Sequence, residues 1–395
     1  MSQEMKAALA AGFRATFAAE AERYFSAPGR TEIGGNHTDH QRGRVLAAAV
    51  NLDTCAAVAC NGTSQIRIQS QGYPMCCVDL NDLQPNPQEF GTTTALIRGV
   101  AARFTQIGYS LSGFDAYVRS TVLPGSGLSS SAAFEVLVGT ILNGMFCDGS
   151  VDAKTVAIVG QYAENVFFGK PCGLMDQMAS SVGNLVTIDF FHKDAPEVRP
   201  VKVDFSSFGH ALCIIDTGAD HADLTDEYAA ITRELKEICA YFGSDVLTQI
   251  QEADFYAAIP ALRQRCGDRA VLRAIHFYRE NARVPQQVAA LENGEFDRFL
   301  ALIRESGESS YMYLQNVIPA GRTTRQEVAL SLALCQQILA GRGAFRVHGG
   351  GFAGTIQAFV PLDMLEDFRS RMDAVLGKGA CHVLSIRPQG GMEML

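Results

Sequence analysis

The chain carries no Cys-x-x-Cys pair, no internal repeat and no low-complexity tract in its 395 residues. An apolar run long enough to span a bilayer is also missing, since the densest stretch, 132–147, is broken by Glu135 and Asn143. The opening MSQEMKAALAAGF has an early acid and none of the charged-then-apolar layout of a secretory signal. Positive charge is in deficit, with 33 Lys and Arg against 42 Asp and Glu, a formal charge of −9. A general nucleic-acid binder is thereby disfavoured. The 11 cysteines are odd in number and most sit inside apolar runs, where a thiol packs as a small hydrophobe. Reduced core thiols follow, and with them a cytoplasmic location without nucleic-acid or membrane partners.

Apolar residues, by contrast, make up 47% and charged residues only 19%, which supplies a core and argues against disorder. The length exceeds one ordinary domain, so two packed domains are expected, 1–205 and 206–395, divided where the texture changes. Met5, Leu9, Phe13 and Phe17 recur at helical spacing and predict an amphipathic helix over the first twenty residues, with Gly12 a poor fit inside it. A Gly- and His-rich turn is expected at 27–40. Strands are expected at 45–50, 66–71 and 115–122, then a buried helix from about residue 130 and another from Asp152. Beyond residue 200, Val201, Val203 and Phe205 alternate as a strand would, and 210–216 is strongly apolar. Long helices follow over 226–340, then strands at 344–347, 355–360 and 381–386. The class is α+β.

Three clusters carry chemistry. The first is 124–133, PGSGLSSSAA. Gly125 and Gly127 allow positive φ and a close backbone approach, and Ser129, Ser130 and Ser131 add hydroxyls and free N–H groups where a helix begins. Such a start favours phosphate, and two glycines with three serines exceed what a simple cap requires. The Walker pattern and the protein-kinase loops are absent. A formal G-x-G-x-x-G at Gly349, Gly351 and Gly354 precedes a strand instead of a helix, so it fails as a dinucleotide site and reads as a glycine loop packed on a neighbour or a ligand.

The second cluster, APGRTEIGGNHTDH at 27–40, gathers Arg30, Glu32, Asn36, His37, Asp39 and His40. Its spacing fits no common zinc framework, and the residue types suit a ligand with several hydroxyls as well as they suit a solvated loop. The third, PCGLMDQMAS at 171–180, sets Asp176 in apolar company, where a carboxylate needs a partner or a purpose. Glu164, on the preceding helix, faces the same region. One carboxylate for a proton and one for Mg²⁺ is a natural division in phosphoryl transfer, and a structural ion pair is the competing account.

As a set, these segments resemble the motifs of the GHMP small-molecule kinases, and among them the galactokinase family. The segment at 27–40 is similar to the signature APGRVNLIGEHTDY, 124–133 to the ATP phosphate loop with GLSSSAA intact, and CGLMDQ at 172–177 to CGIMDQ. GGGFAG at 349–354 resembles GGGFGG, with Ala353 replacing a glycine. The resemblance implies the two-domain GHMP kinase fold with its site in the interdomain cleft, and ATP-dependent phosphorylation of the anomeric hydroxyl of galactose. It assigns Asp176 as catalytic aspartate and Arg30 as its partner, and Asn36, His37, Asp39, Gly173 and Tyr228 as sugar contacts. Gly125, Ser126, Gly127, Leu128, Ser129, Ser130 and Ser131 become the phosphate cradle, and Ser131 and Glu164 the Mg²⁺ ligands. The partners implied are a small sugar and ATP, in a monomer or weak homo-oligomer. The pattern departs at Asn36, where the signature has Glu, and at Glu32 and His40, where it has Asn and Tyr. An amide at position 36 removes repulsion toward a carboxylate on the sugar's sixth carbon, which opens galacturonate as an alternative, unless Glu32 replaces the lost acid. A silent sugar sensor is a further alternative, against which stand the intact Ser130, Ser131 and Ala132.

Overall fold

The computed structural model describes residues 2–122, 127–170, 172–192, 195–219 and 224–394. The first sheet is built from β1 (Arg23–Gly34), β2 (Arg44–Cys60), β3 (Gln65–Ser70), β4 (Cys76–Asp79), β5 (Phe114–Ser120), β6 (Leu185–Asp189) and β7 (Glu197–Pro200). The second contains β8 (His210–Ala219), β9 (Ala344–Val347), β10 (Gly354–Pro361) and β11 (Cys381–Leu384) in the order β11-β8-β10-β9. A short strand, β12 (Met392–Met394), then returns to the first sheet and pairs antiparallel with β1, Tyr24 opposite Met394. The chain thus crosses the expected boundary at residue 205 twice.

Long β2 organises the first sheet, because its 17 residues are rich in Ala and Val and pair with β1, β5 and β6 in turn. The helix Ser130–Phe146 is apolar nearly all round, as expected, and Val136, Leu137, Ile141 and Leu142 vanish into the core beneath this sheet. The N-terminal helix Gln3–Phe17 buries Leu9 and Phe13, and its Gly12 has a packing reason. A Cβ there would stand 2.2 Å from the Tyr117 ring, so only glycine lets the helix lie this close to β5.

Two sequence expectations fail. Residues 27–34 are strand, not turn, because their polar groups are satisfied inside the sheet and against the second half of the chain; every residue of the stretch is buried. The alternating Val201, Val203 and Phe205 form no strand. Val201 is buried with its N–H on the Leu185 carbonyl (2.8 Å), and Phe205 opens a 3₁₀ turn with its ring edge-on to Phe296 and Phe299. There the alternation reflects two anchors dropping into a core and no ladder. That core is common to both sheets, joining Ile33, Leu46 and Val50 to Leu212, Ile214 and Phe359.

Candidate active site

A cleft of about 1350 Å³ is lined by the first motif, the serine loop, the CGLMDQ segment, the helix Thr225–Tyr241 and the glycine loop at Gly349–Gly350. The strand β1 delivers Arg30 through a bulge, since the β1–β2 register shifts between Pro28 and Arg30; a bulge re-aims a side chain. Gly29 sits beside it where a Cβ would meet the Leu128 carbonyl at 3.0 Å, so β1 and the serine loop touch. Arg30 N–H donates to that same carbonyl (3.0 Å).

The Arg30 guanidinium meets Asp176 as a fork, Nε to Oδ1 at 2.6 Å and Nη2 to Oδ2 at 2.5 Å, while Nη1 donates to the Gly127 carbonyl. Ser129 Oγ donates to Asp176 Oδ2 at 2.7 Å. Asp176 lies in the first turn of the helix Met175–Val182. Burial raises its pKa, but the Arg30 charge and the hydrogen bonds from Arg30 and Ser129 outweigh burial and hold the carboxyl below its ordinary range. Ser129 itself takes a left-handed conformation (φ 55°) at the N-cap of Ser130–Phe146. In this strained position its hydroxyl caps no helix N–H and points instead to Asp176.

Glu164 faces the cleft from a π-helical turn, Ala163–Phe168, that continues the helix Ala153–Tyr162 and ends at Gly169 (φ 81°). Gln177 Nε2 bridges Glu164 Oε2 and the buried Glu135 Oε2, each at 2.9 Å, and Lys170 Nζ lies 3.4 Å from Glu164 Oε1. Burial, then the negative Glu164, pushes the Glu135 carboxyl well up. Cys172 beside them is raised by burial and by Glu164, which leaves an inert thiol.

Around the other end stand His37, Asp39, Gly173 and Tyr228. His37 Nε2 lies 3.0 Å from the Gly350 carbonyl, and burial followed by the neighbouring His40 lowers its pKa to about 4, so the ring is neutral. Asp39 Oδ2 rests against the Gly173 backbone, where a Cβ would be 2.1 Å away. Burial raises the Tyr228 phenol to about 12, and its hydroxyl donates to the Gly351 carbonyl (2.8 Å). The glycine loop is packed as the sequence suggested, since a Cβ on Gly351 would collide with the Asn316 carbonyl and one on Gly350 with the Tyr228 ring.

The cleft therefore gathers Arg30, His37, Asp39, Gly127, Ser129, Ser130, Ser131, Glu164, Gly173, Asp176 and Tyr228. It does not include Leu128, which is fully buried and contributes its carbonyl to Arg30, nor Asn36, which is fully buried behind the wall. Asn36 is held there by its own hydrogen bonds. Gly125 and Ser126 lie outside the described residues. Lys170, Gln177, Arg233 and Lys236 line the cleft without having been singled out beforehand. Nothing in their spacing marks them, apart from Gln177 following Asp176 directly. Among the described residues no helix is long and apolar enough to cross a membrane.

Two family models match the chain, the galactokinase galactose-binding signature over residues 11–60 and the GHMP kinases N terminal domain over residues 95–184. Both matches point to similarity with the GHMP kinases. The chain's relatives include the galactokinase of Streptomyces coelicolor, 29% identical over 391 residues and covering 97% of each chain. In fold, the chain superposes on Lactococcus lactis galactokinase complexed with galactose, with a TM-score of 0.84 at 23% identity over 99% of this chain and 100% of the other. It also superposes on the mevalonate kinase of Methanococcus jannaschii, with a TM-score of 0.65 at 13% identity over 92% and 98% of the two chains. Between them the two models cover the expected sugar signature, the serine loop and the CGLMDQ segment.

Proposed function

We propose that this protein transfers the γ-phosphoryl group of ATP to the anomeric hydroxyl of galactose, giving galactose 1-phosphate and ADP. The observation that carries this reading is the Arg30–Asp176–Ser129 cluster. It places an ionised carboxylate at the mouth of a serine-rich helix N-terminus, inside a cleft whose far wall carries the signature shared with galactokinases. The N-terminus of Ser130–Phe146, with Gly127, Ser129 and Ser130, cradles the phosphates through N–H groups and the helix dipole. Asp176 accepts the proton of the sugar 1-OH, or orients that hydroxyl, as its oxygen bonds to phosphorus and the bond to the leaving ADP oxygen breaks. The Arg30 fork keeps Asp176 ionised and correctly turned, and at the same time lowers its basicity, so orientation contributes alongside proton transfer. His37, Asp39, Gly173 and Tyr228 form the sugar end.

Among the described residues no cluster of three or more His, Cys, Asp or Glu forms a metal cage. That suits Mg²⁺, which binds through one or two protein oxygens and substrate phosphates. Glu164 and the Ser131 hydroxyl, both on the cleft wall, are the groups that would hold it. Bound there, Mg²⁺ supplies neutralisation of the phosphate charge. All 11 cysteines are free, in keeping with a reducing cytoplasm. The test is coupled ADP release with galactose, galacturonate, N-acetylgalactosamine, arabinose and glucose in parallel. Galactose is expected to turn over fastest; folded protein that turns over none of them with Mg-ATP overturns the reading.

A further inference from the structure

Positions 32 and 36 meet at one end of the cleft, and their roles are unequal. Asn36 has no exposed surface, and its amide is consumed by the protein. Its Nδ2 donates to Glu32 Oε1 (3.0 Å) and to the Gly349 carbonyl (2.7 Å), and its Oδ1 accepts from Ser310 Oγ (3.2 Å) and Asn316 Nδ2 (3.0 Å). Its backbone N–H is directed at Glu280, and its carbonyl meets the His276 ring. No donor or acceptor of Asn36 is left for a ligand. Glu32 is also buried, with 4% of its surface exposed, but unlike Asn36 it lines the cleft. Its Oε1 takes hydrogen bonds from Asn36 and from Arg346, while among the described residues none reaches Oε2. Arg346 has no exposed surface and is fixed by the carbonyls of Ile33 and Val347, so the carboxylate it holds is fixed in turn.

We propose that Glu32 Oε2 selects the sugar at this end of the cleft, by accepting a hydrogen bond from a sugar hydroxyl other than the reacting one. The assignment rests on the sugar-kinase reading given above. Burial raises the Glu32 pKa and the Arg346 charge lowers it; paired with that guanidinium as a carboxylate, Glu32 only accepts, so its partner must be a donor. A hydroxyl fits, and a uronate carboxylate does not, because it would set two like charges face to face in a poorly solvated corner. Asn36 then serves as a positioning residue, holding Oε1 so that Oε2 faces the substrate. The substrate class is narrowed to neutral hexoses, against the galacturonate alternative that the amide at position 36 had suggested.

The test measures kcat/KM for galactose, its 2-, 3-, 4- and 6-deoxy analogues and galacturonate, with the wild type and Glu32→Gln. A buried acceptor matched to a hydroxyl rejects the analogue that lacks it strongly, so one deoxy analogue should stand out in the wild type by about a hundredfold. In Glu32→Gln that penalty should shrink at least about tenfold, and the galacturonate-to-galactose ratio should rise by a similar factor. Penalties unchanged within about twofold for every analogue overturn the assignment. If Glu32→Gln does not fold, as judged by circular dichroism, Glu32→Asp keeps the charge and withdraws the oxygen by one methylene. The same selective loss is then expected, and its absence is equally fatal. A wild type that turns over no sugar sinks the sugar-kinase reading instead. Calorimetric binding of the same analogues then decides the Glu32 assignment by itself, with no single analogue standing out counting against it.

Discussion

At Asp176, burial and pairing pull in opposite directions and pairing wins. The carboxyl sits below its ordinary pKa because the Arg30 fork and the Ser129 hydroxyl favour the charged form. It is therefore already ionised well below neutral pH, and the pH profile of kcat/KM should show no acid limb from this group between about pH 5 and 8. Asp176→Asn should lower kcat by about a thousandfold and leave ATP affinity, measured by calorimetry, within about twofold. Because the folded-state pKa is depressed, the stability it contributes is present above the unfolded value and is lost as pH falls through the folded one. The melting temperature of the wild type should therefore drop more steeply below pH 4 than that of Asp176→Asn. A second substitution addresses the wall behind the site. Asn36→Glu would put another carboxylate where the Asn36 amide now donates to Glu32, buried and facing like charge. Denaturant titration should show a loss of about 3 kcal/mol. Arg30, Asp176 and the serines were legible in sequence because a guanidinium, a lone acid in apolar company and a serine run have few bland explanations. Which of positions 32 and 36 faces the ligand was not legible. The strand carries a register shift between Glu32 and Gly34, then turns at Gly35 (φ 90°), and simple alternation no longer counts sides across such a bulge.

At the scale of the element, glycines decide how closely segments approach. Gly173 lies just before the helix Met175–Val182, and a Cβ there would overlap Asp39 Oδ2. Gly173→Ala should therefore displace Asp39 and raise the sugar KM about tenfold, while the KM for ATP changes less than about twofold, as steady-state kinetics with each substrate varied would show. Helices and late strands were read well from periodicity, with β9 found at the expected 344–347 and the buried helix beginning at Ser130. The misreadings share one cause. In 27–34 a polar composition suggested a loop, and in 201–205 an alternation suggested a strand. In each case tertiary partners, Arg346 and Asp176 in the first and the phenylalanine cluster in the second, overrode the local pattern. Gly12 is the converse case, a residue that weakens the helical pattern locally and is required globally by Tyr117.

At the scale of the whole molecule, the strand that carries Arg30 is flanked by β2 on one side and β12 on the other. Arg23 on β1 also forms a fork with Glu393 on β12. Removal of residues 392–395 should expose that edge, lower the melting temperature by several degrees and increase aggregation on heating, measured by light scattering alongside calorimetry. The common core beneath both sheets was invisible in sequence because it is assembled from positions as distant as Ile33 and Phe359, and no local window contains both. The same arrangement has a consequence for biosynthesis. Seven strands of the first sheet are complete by Pro200, yet the eighth is not translated until the second sheet and all its helices have been made. The nascent chain must hold the bare edge of its arginine-bearing strand throughout that interval, so the period of greatest exposure to misassembly coincides with translation of the second half, and a product halted before residue 392 remains in that state.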